Sequence, residues 1–287
     1  GFLQPGLAPD YAGELAGLIL DLYAGMGYAA VGVGAPELGI PREVLEQALG
    51  TSAIDAVCSN FSDEREPSPL QAVKRLEVGG RQVVVLGIAP EGARLEKTWQ
   101  QASLGKPQTA LQEALQSLEQ KPDLVVLLSS AGEAVDSKLA RQVPGIDLII
   151  PSRPNLGRGL VDRIGRTWIL RTASKGKTVG KARVVFDPEV GVVDVKPELI
   201  KLDASIQVDR QVAKRVQSFE ERTAAMTKRT KPARSGNPFA ELLKKRQQQS
   251  AEAQKDKAAP RSNGSEDNPF LKLIEEMKKK EGQKSRE

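Results

Sequence analysis

No histidine occurs anywhere in the 287 residues, and Cys58 is the single cysteine. The first absence removes the commonest general base and the commonest transition-metal ligand together. The second excludes an intrachain disulfide and any cysteine-rich metal site, and leaves Cys58 to be read as a small buried hydrophobe at the end of a strand. Aromatic residues make up only 4% of the chain, and no apolar run approaches the roughly 18 residues of a membrane span. The chain opens at Gly1 rather than Met and shows no signal sequence there. Charge is uneven rather than lacking. Residues 228–287 hold 16 Lys and Arg against 9 Asp and Glu, whereas 1–227 hold 26 against 28. The basic character therefore belongs to a tail, of a kind suited to an acidic partner, nucleic acid or an anionic membrane.

What is present is organised around residues 123–155. Asp123 to Leu128 is an apolar run of strand length that enters the small turn Ser129-Ser130-Ala131-Gly132. Asp147 to Ile150 repeats the pattern and enters Pro151-Ser152-Arg153-Pro154-Asn155. Runs apolar on both faces predict strands of a sheet covered on both sides, with ligands expected in the loops beyond the carboxyl ends. Upstream, Leu15, Leu18, Ile19, Leu22 and Tyr23 have helical spacing from Asp10 onward, and Tyr28 to Val33 reads as a strand leaving through the loop Gly34-Ala35-Pro36-Glu37. A helix over 42–49, a strand over 53–58 and a polar loop over 59–69 follow. Gly79-Gly80 marks a hairpin between strands 73–78 and 82–88, and 108–120 reads as helix. Beyond the central stretch, 167–172, 179–187 and 192–202 read as strands, the last as an added edge.

From Asp203 to Lys231 a helix is expected, with Val208, Val212, Val216, Phe219 and Met226 as a thin apolar stripe. The tail holds a near-repeat. Asn237-Pro238-Phe239 with Leu242 and Leu243, and Asn268-Pro269-Phe270 with Leu273 and Ile274, each combine a capping Asn, a Pro for the first helical position and one apolar face. Two such modules on a polar spacer could dock in a groove of a protein partner. A solvated charged extension is the plainer reading.

Few side chains in the central loops are reactive. Glu37, Asp55 and Asp136 read as helix caps and surface charges, because their spacing makes no calcium loop. Ser129-Ser130 has no histidine to activate a hydroxyl nucleophile. Gly32-x-Gly34 is only half of a dinucleotide fingerprint.

Several motifs nevertheless resemble a known family. Gly27-Tyr28-Ala29-Ala30-Val31 leading to Gly34-Ala35-Pro36-Glu37, Ser129-Ser130-Ala131-Gly132 followed by Asp136, Leu139-Ala140 and Val143 to Asp147, then Ser152 to Asn155 and Ala173 to Gly180, are similar to the 5'-nucleotidase branch of the calcineurin-like metallophosphoesterases. The likeness spans about residues 10–202. It implies an α/β fold: a metallophosphoesterase-like α/β/β/α sandwich with mixed sheets, incomplete at the N-terminus, with a C-terminal helix and a polar tail. In the family these loops supply one Asn and several His to a two-metal phosphoesterase centre. Here Ala35 stands for the Asn, Pro36 for a catalytic His, and Ser130, Arg153 and Asn155 for three ligand His. Alanine offers no donor, arginine repels a metal ion, and serine and asparagine are weak ligands.

The resemblance thus implies a catalytically degenerate module with no cofactor, divided as 1–202, a linking helix 203–231 and a tail 232–287. Arg153, Ser130 and Lys175 would form a cationic pocket for a small anion in place of metals. The competing expectation is a metal-dependent phosphoesterase completed by an N-terminal segment, since the family's remaining ligands and first strands would precede Gly1. On this reading the chain is a fragment of a longer precursor. Periplasmic or cell-envelope placement follows from the resemblance alone.

Overall fold

The computed structural model describes residues 2–152, 159–172, 176–187 and 189–230. Helix α1 (Pro9–Gly25) starts with Pro in its first turn, where a missing N–H costs no hydrogen bond, and buries Ala12, Ala16 and Leu20 at four-residue spacing. Against it packs α3 (Arg42–Gly50), whose Leu45 and Ala48 are buried. Between them in sequence come strand β1 (Ala30–Gly32) and the one-turn α2 (Ala35–Leu38). Strand β2 (Asp55–Val57) runs parallel to β1, with Val31 opposite Ala56. The helices α1 and α3 close one face of this pair around Leu20, Val31, Leu45 and Ala56.

The main sheet is built from β4 (Val73–Val78), β5 (Arg81–Ile88), β7 (Leu124–Ser129), β8 (Leu148–Pro151), β10 (Thr167–Leu170) and β9 (Val161–Ile164), adjacent in that order. The middle four are parallel and the two edges antiparallel. Alternate residues of β7 serve opposite faces. Val125 and Leu127 join Leu111 and Leu139 under α4 (Pro107–Gln116) and α5 (Glu133–Gln142). Leu124 turns the other way, where Leu148 and Leu170 meet Val192 and Val195 of the hairpin β11 (Thr178–Asp187) and β12 (Gly191–Lys201). The layers are therefore helices, main sheet, the β1–β2 and β11–β12 pairs, and helices again: an α/β/β/α sandwich.

Gly87 brings the two sheets together. Its backbone bonds the loop after β2 in both directions, since Ser59 N–H donates to the Gly87 carbonyl at 2.6 Å and Gly87 N–H donates to Ser59 Oγ at 3.2 Å. A methyl group at Gly87 would collide with the Val57 carbonyl.

Four details depart from the sequence reading. Residues 59–69 are not all loop, because β3 (Phe61–Asp63) pairs with β6 (Ala102–Leu104). The loop after β1 curls into α2, closed by the Glu37 carboxylate on Gly34 N–H. β9 was not foreseen, whereas β12, read as an added edge, lies beside β11. Helix α6 (Arg210–Thr230) begins later than Asp203, because Asp209 is the cap, accepting from Gln211 and Val212 N–H at 2.8 and 3.0 Å. Val208 is consequently outside the helix and exposed. The stripe on α6 docks on α1 through buried Phe219, whose ring centroid lies 5.7 Å from that of Tyr11. Arg215–Asp21 and Arg222–Glu14 ion pairs flank the contact. No described helix is long and apolar enough to cross a membrane.

Candidate functional site

The loops leaving β1, β5, β7 and β8 converge on one side of the sandwich. They line a cleft of about 390 Å³ that contains Ala35, Pro36, Pro90, Ser130 and Ser152, with Leu3 to Pro5 as a further wall. Two loops touch here, since a Cβ on Gly34 would lie 2.7 Å from Ser130 Oγ. Ala35, Pro36 and Ser130 are thus brought together. Arg153, Asn155 and Lys175 lie outside the described residues, as do the tail residues Asn237, Pro238, Phe239, Leu242, Leu243, Asn268, Pro269, Phe270, Leu273 and Ile274.

Ser130 is held by its own strand's neighbour. Both its N–H and its hydroxyl donate to the Ile88 carbonyl, each at 3.0 Å. The Ser130 hydroxyl is thereby turned toward the main chain at the end of β5. Ala35 contributes a methyl and Pro36 a ring. A two-metal centre requires several imidazole or carboxylate donors, and the cleft's described residues do not fit one. Among the described residues, no group of three or more Cys, Asp or Glu side chains is placed to hold a metal ion.

Of the three acidic residues read as helix caps and surface charges, Glu37 and Asp136 stand in the first turns of α2 and α5 and are buried there. Glu37 is fully buried and its carboxylate gathers three backbone donors: Phe2 and Leu3 N–H at 2.6 and 2.5 Å on Oε1, and Gly34 N–H at 2.9 Å on Oε2. It ties the N-terminal segment to the β1 loop, which a cap alone would not do. Asp136, on the first turn of α5, is 1% exposed and accepts the Ser129 hydroxyl on Oδ1. Ser129 Oγ in turn accepts Ala131 N–H at 3.3 Å, so this pair braces the loop that carries Ser130. Burial pushes the Asp136 carboxyl up to about 6, against the Ser129 hydrogen bond and nearby Arg171, which pull it down. Asp55 alone matches its surface assignment, half-buried and paired with Lys74.

Arg171 was not singled out from sequence. It follows β10 directly, is 3% exposed, and pairs with Glu133 at 3.4 Å and Asp162 at 3.6 Å. Among the described residues, its Nη1 and the Asp136 Oδ2 are buried without hydrogen-bond partners. A charged residue ending an otherwise apolar strand was the available signal. Cys58 is buried as expected, and burial raises its thiol to about 12, which keeps it unreactive.

Over part of the chain, these layers and converging loops share the fold of solved 5'-nucleotidases and calcineurin-like phosphoesterases. A 5'-nucleotidase precursor from Thermus thermophilus aligns with a TM-score of 0.63 at 21% identity, covering 74% of this chain and 46% of its own. The sulfate thiohydrolase SoxB of Thermus thermophilus gives a TM-score of 0.61 at 20% identity, covering 72% and 39%. The calcineurin-like phosphoesterase YfkN from Bacillus subtilis gives 0.59 at 16%, covering 76% and 77%. The chain thus spans less than half the length of the first two. No family model matches the chain, and no curated protein matches it by sequence.

Proposed function

We propose that this chain is a catalytically degenerate 5'-nucleotidase-like module whose cleft binds without hydrolysing. The observation that carries this reading is the state of Ser130, whose hydroxyl is bonded to the Ile88 carbonyl in a cleft that Ala35 and Pro36 also line. Those are the positions at which the resembling family keeps metal-binding and catalytic groups. The ligand we assign is a small anion such as phosphate, recruited by Arg153 and Lys175, which Ser130 would join only by turning its hydroxyl away from the Ile88 carbonyl. The tail, through its two Asn-Pro-Phe modules, would recruit a protein partner, with the lysine run Lys278 to Lys280 adding contact to anionic lipid or nucleic acid. Periplasmic or cell-envelope placement belongs to the same proposal.

The discriminating experiment is metal analysis of the purified chain together with hydrolysis of AMP and p-nitrophenyl phosphate in Mn²⁺, Zn²⁺ and Mg²⁺. No metal-dependent turnover above the buffer rate is expected, alongside saturable phosphate binding that Arg153→Ala weakens at least tenfold. Stoichiometric metal with metal-dependent turnover would overturn the reading in favour of a working phosphoesterase.

A further inference from the structure

Two buried polar atoms of opposite charge type lie near each other without partners, next to the loop that carries Ser130. Asp136 Oδ2 stands in the first turn of α5 and Arg171 Nη1 one residue past β10; among the described residues neither makes a hydrogen bond. Enclosing a polar group unbonded costs about 1–3 kcal/mol, and more for a charged one. A carboxylate and a guanidinium would satisfy each other. Arg171 is near enough for its charge to draw the Asp136 carboxyl down, yet its bonds run to Glu133 at 3.4 Å and Asp162 at 3.6 Å. Both are longer than the roughly 2.7–2.9 Å of a close charge-assisted bond. Both of those partners are also part-exposed, whereas Asp136 is buried.

This arrangement suits a neutral Asp136. Burial pushes its carboxyl up to about 6, and a protonated carboxyl gives the guanidinium no charge to bond. Ionisation reverses the balance, because a buried carboxylate is costly until it is paired. The charged groups around the pair are few. α5 supplies Glu133, β9 supplies Asp162 and β10 leads to Arg171, whereas β7 offers the Ser129 hydroxyl and β8 no charged side chain. Arg163 of β9 is engaged elsewhere, stacked on the Trp168 ring at 4.8 Å.

Each member of the pair is fastened to a different strand exit. Asp136 holds Ser129 through Oδ1, and Ser129 Oγ accepts Ala131 N–H across Ser130. Arg171 is bound through its own N–H to the Leu160 carbonyl and leads into Thr172.

We propose that Asp136 and Arg171 form a proton-operated latch, apart while Asp136 is protonated and joined as an ion pair, tying the β7 exit to the β10 exit, once its proton has passed to water. The latch rests on these side chains and is independent of what the cleft binds. Because pairing stabilises only the ionised form, it draws the midpoint somewhat below the value of about 6 that the unpaired arrangement sets.

The test is a nuclear magnetic resonance titration of the full chain, labelled with ¹³C and ¹⁵N, from about pH 4 to 8. The Asp136 carboxyl carbon, the Arg171 guanidinium nitrogens and the Ser130 amide are expected to move with one shared midpoint. The exchange protection of the Arg171 guanidinium should rise at least about tenfold above that midpoint, as a buried charge-assisted bond would give. Asp136→Asn, which is neutral at every pH, should hold Arg171 and Ser130 in their low-pH state throughout. Glu133→Gln should leave the transition in place. Arg171 signals that ignore pH, or that follow a midpoint other than that of Asp136, would overturn the proposal. A pH response of Arg171 that survives in Asp136→Asn would do the same, since Glu133 or Asp162 would then be driving it. If Asp136→Asn fails to fold, the shared or separate midpoints of the unaltered chain decide.

Discussion

Buried carboxylates decide how the cleft is held. Asp136 is the more informative of the two at the cleft, because its folded-state carboxyl titrates near 6, above the ordinary aspartate value of 3.8. An acid whose pKa is raised by folding binds more protons folded than unfolded, so its contribution to stability is fully present below about 3.8 and is lost as pH rises through about 6. Asp147, also raised by burial, acts in the same direction. Stability should therefore fall between pH 4 and 6.5, and Asp136→Asn should remove about 1–3 kcal/mol of that fall. Urea unfolding of both proteins at pH 4.5 and 7 measures the difference. At this scale the sequence was least legible. Glu37 and Asp136 read as helix caps or surface charges, and their burial was not legible because it depends on groups from elsewhere in the chain: Glu37 takes two of its three donors from residues 34 and 35 positions away.

Elements were more legible where their pattern was internally complete. β5, β7 and β8 announced themselves because both of their faces are covered, which leaves a continuous apolar run in the sequence. β3, β6 and β9 did not, since three- and four-residue strands such as Phe61–Asp63 carry too little alternation to stand out and are formed by their partner. α6 lies between these cases. Its stripe was visible, but its start depended on the Asp209 carboxylate, and its anchorage rests on one aromatic side chain in contact with Tyr11. Phe219→Ala should cost about 3 kcal/mol, within the range for burying and then deleting a phenyl ring. The loss should be local: amide exchange across α6 should speed up strongly while β5 and β7 stay protected. Raising salt should change little, because the Arg222–Glu14 and Arg215–Asp21 pairs are exposed and contribute about 0–1 kcal/mol each.

The molecule as a whole depends on two sheets meeting closely enough for their loops to share a cleft, and Gly87 is where they meet. Gly87→Ala drives a methyl into the Val57 carbonyl, which is backbone and cannot rotate away. It should destabilise the protein by about 3 kcal/mol or more and lower the melting temperature by several degrees, as scanning calorimetry would record. The α/β sandwich with mixed sheets was legible because helices alternate with apolar strands and strands then come in pairs; the four-layer arrangement was implied by the family resemblance, and the strand order was not read from the sequence. The cleft was legible in outline, with Ala35, Pro36 and Ser130 falling together. The α2 loop adds something that outline did not contain. Within four consecutive residues, Gly34 and Glu37 carry the hydrogen bonds that fasten the loop and the N-terminal segment, and Ala35 and Pro36 carry none through their side chains. Reactivity and anchorage are thereby assigned to different positions of one turn. Such a turn can exchange its middle pair, and with it the chemistry of the cleft, while the outer pair keeps the chain folded.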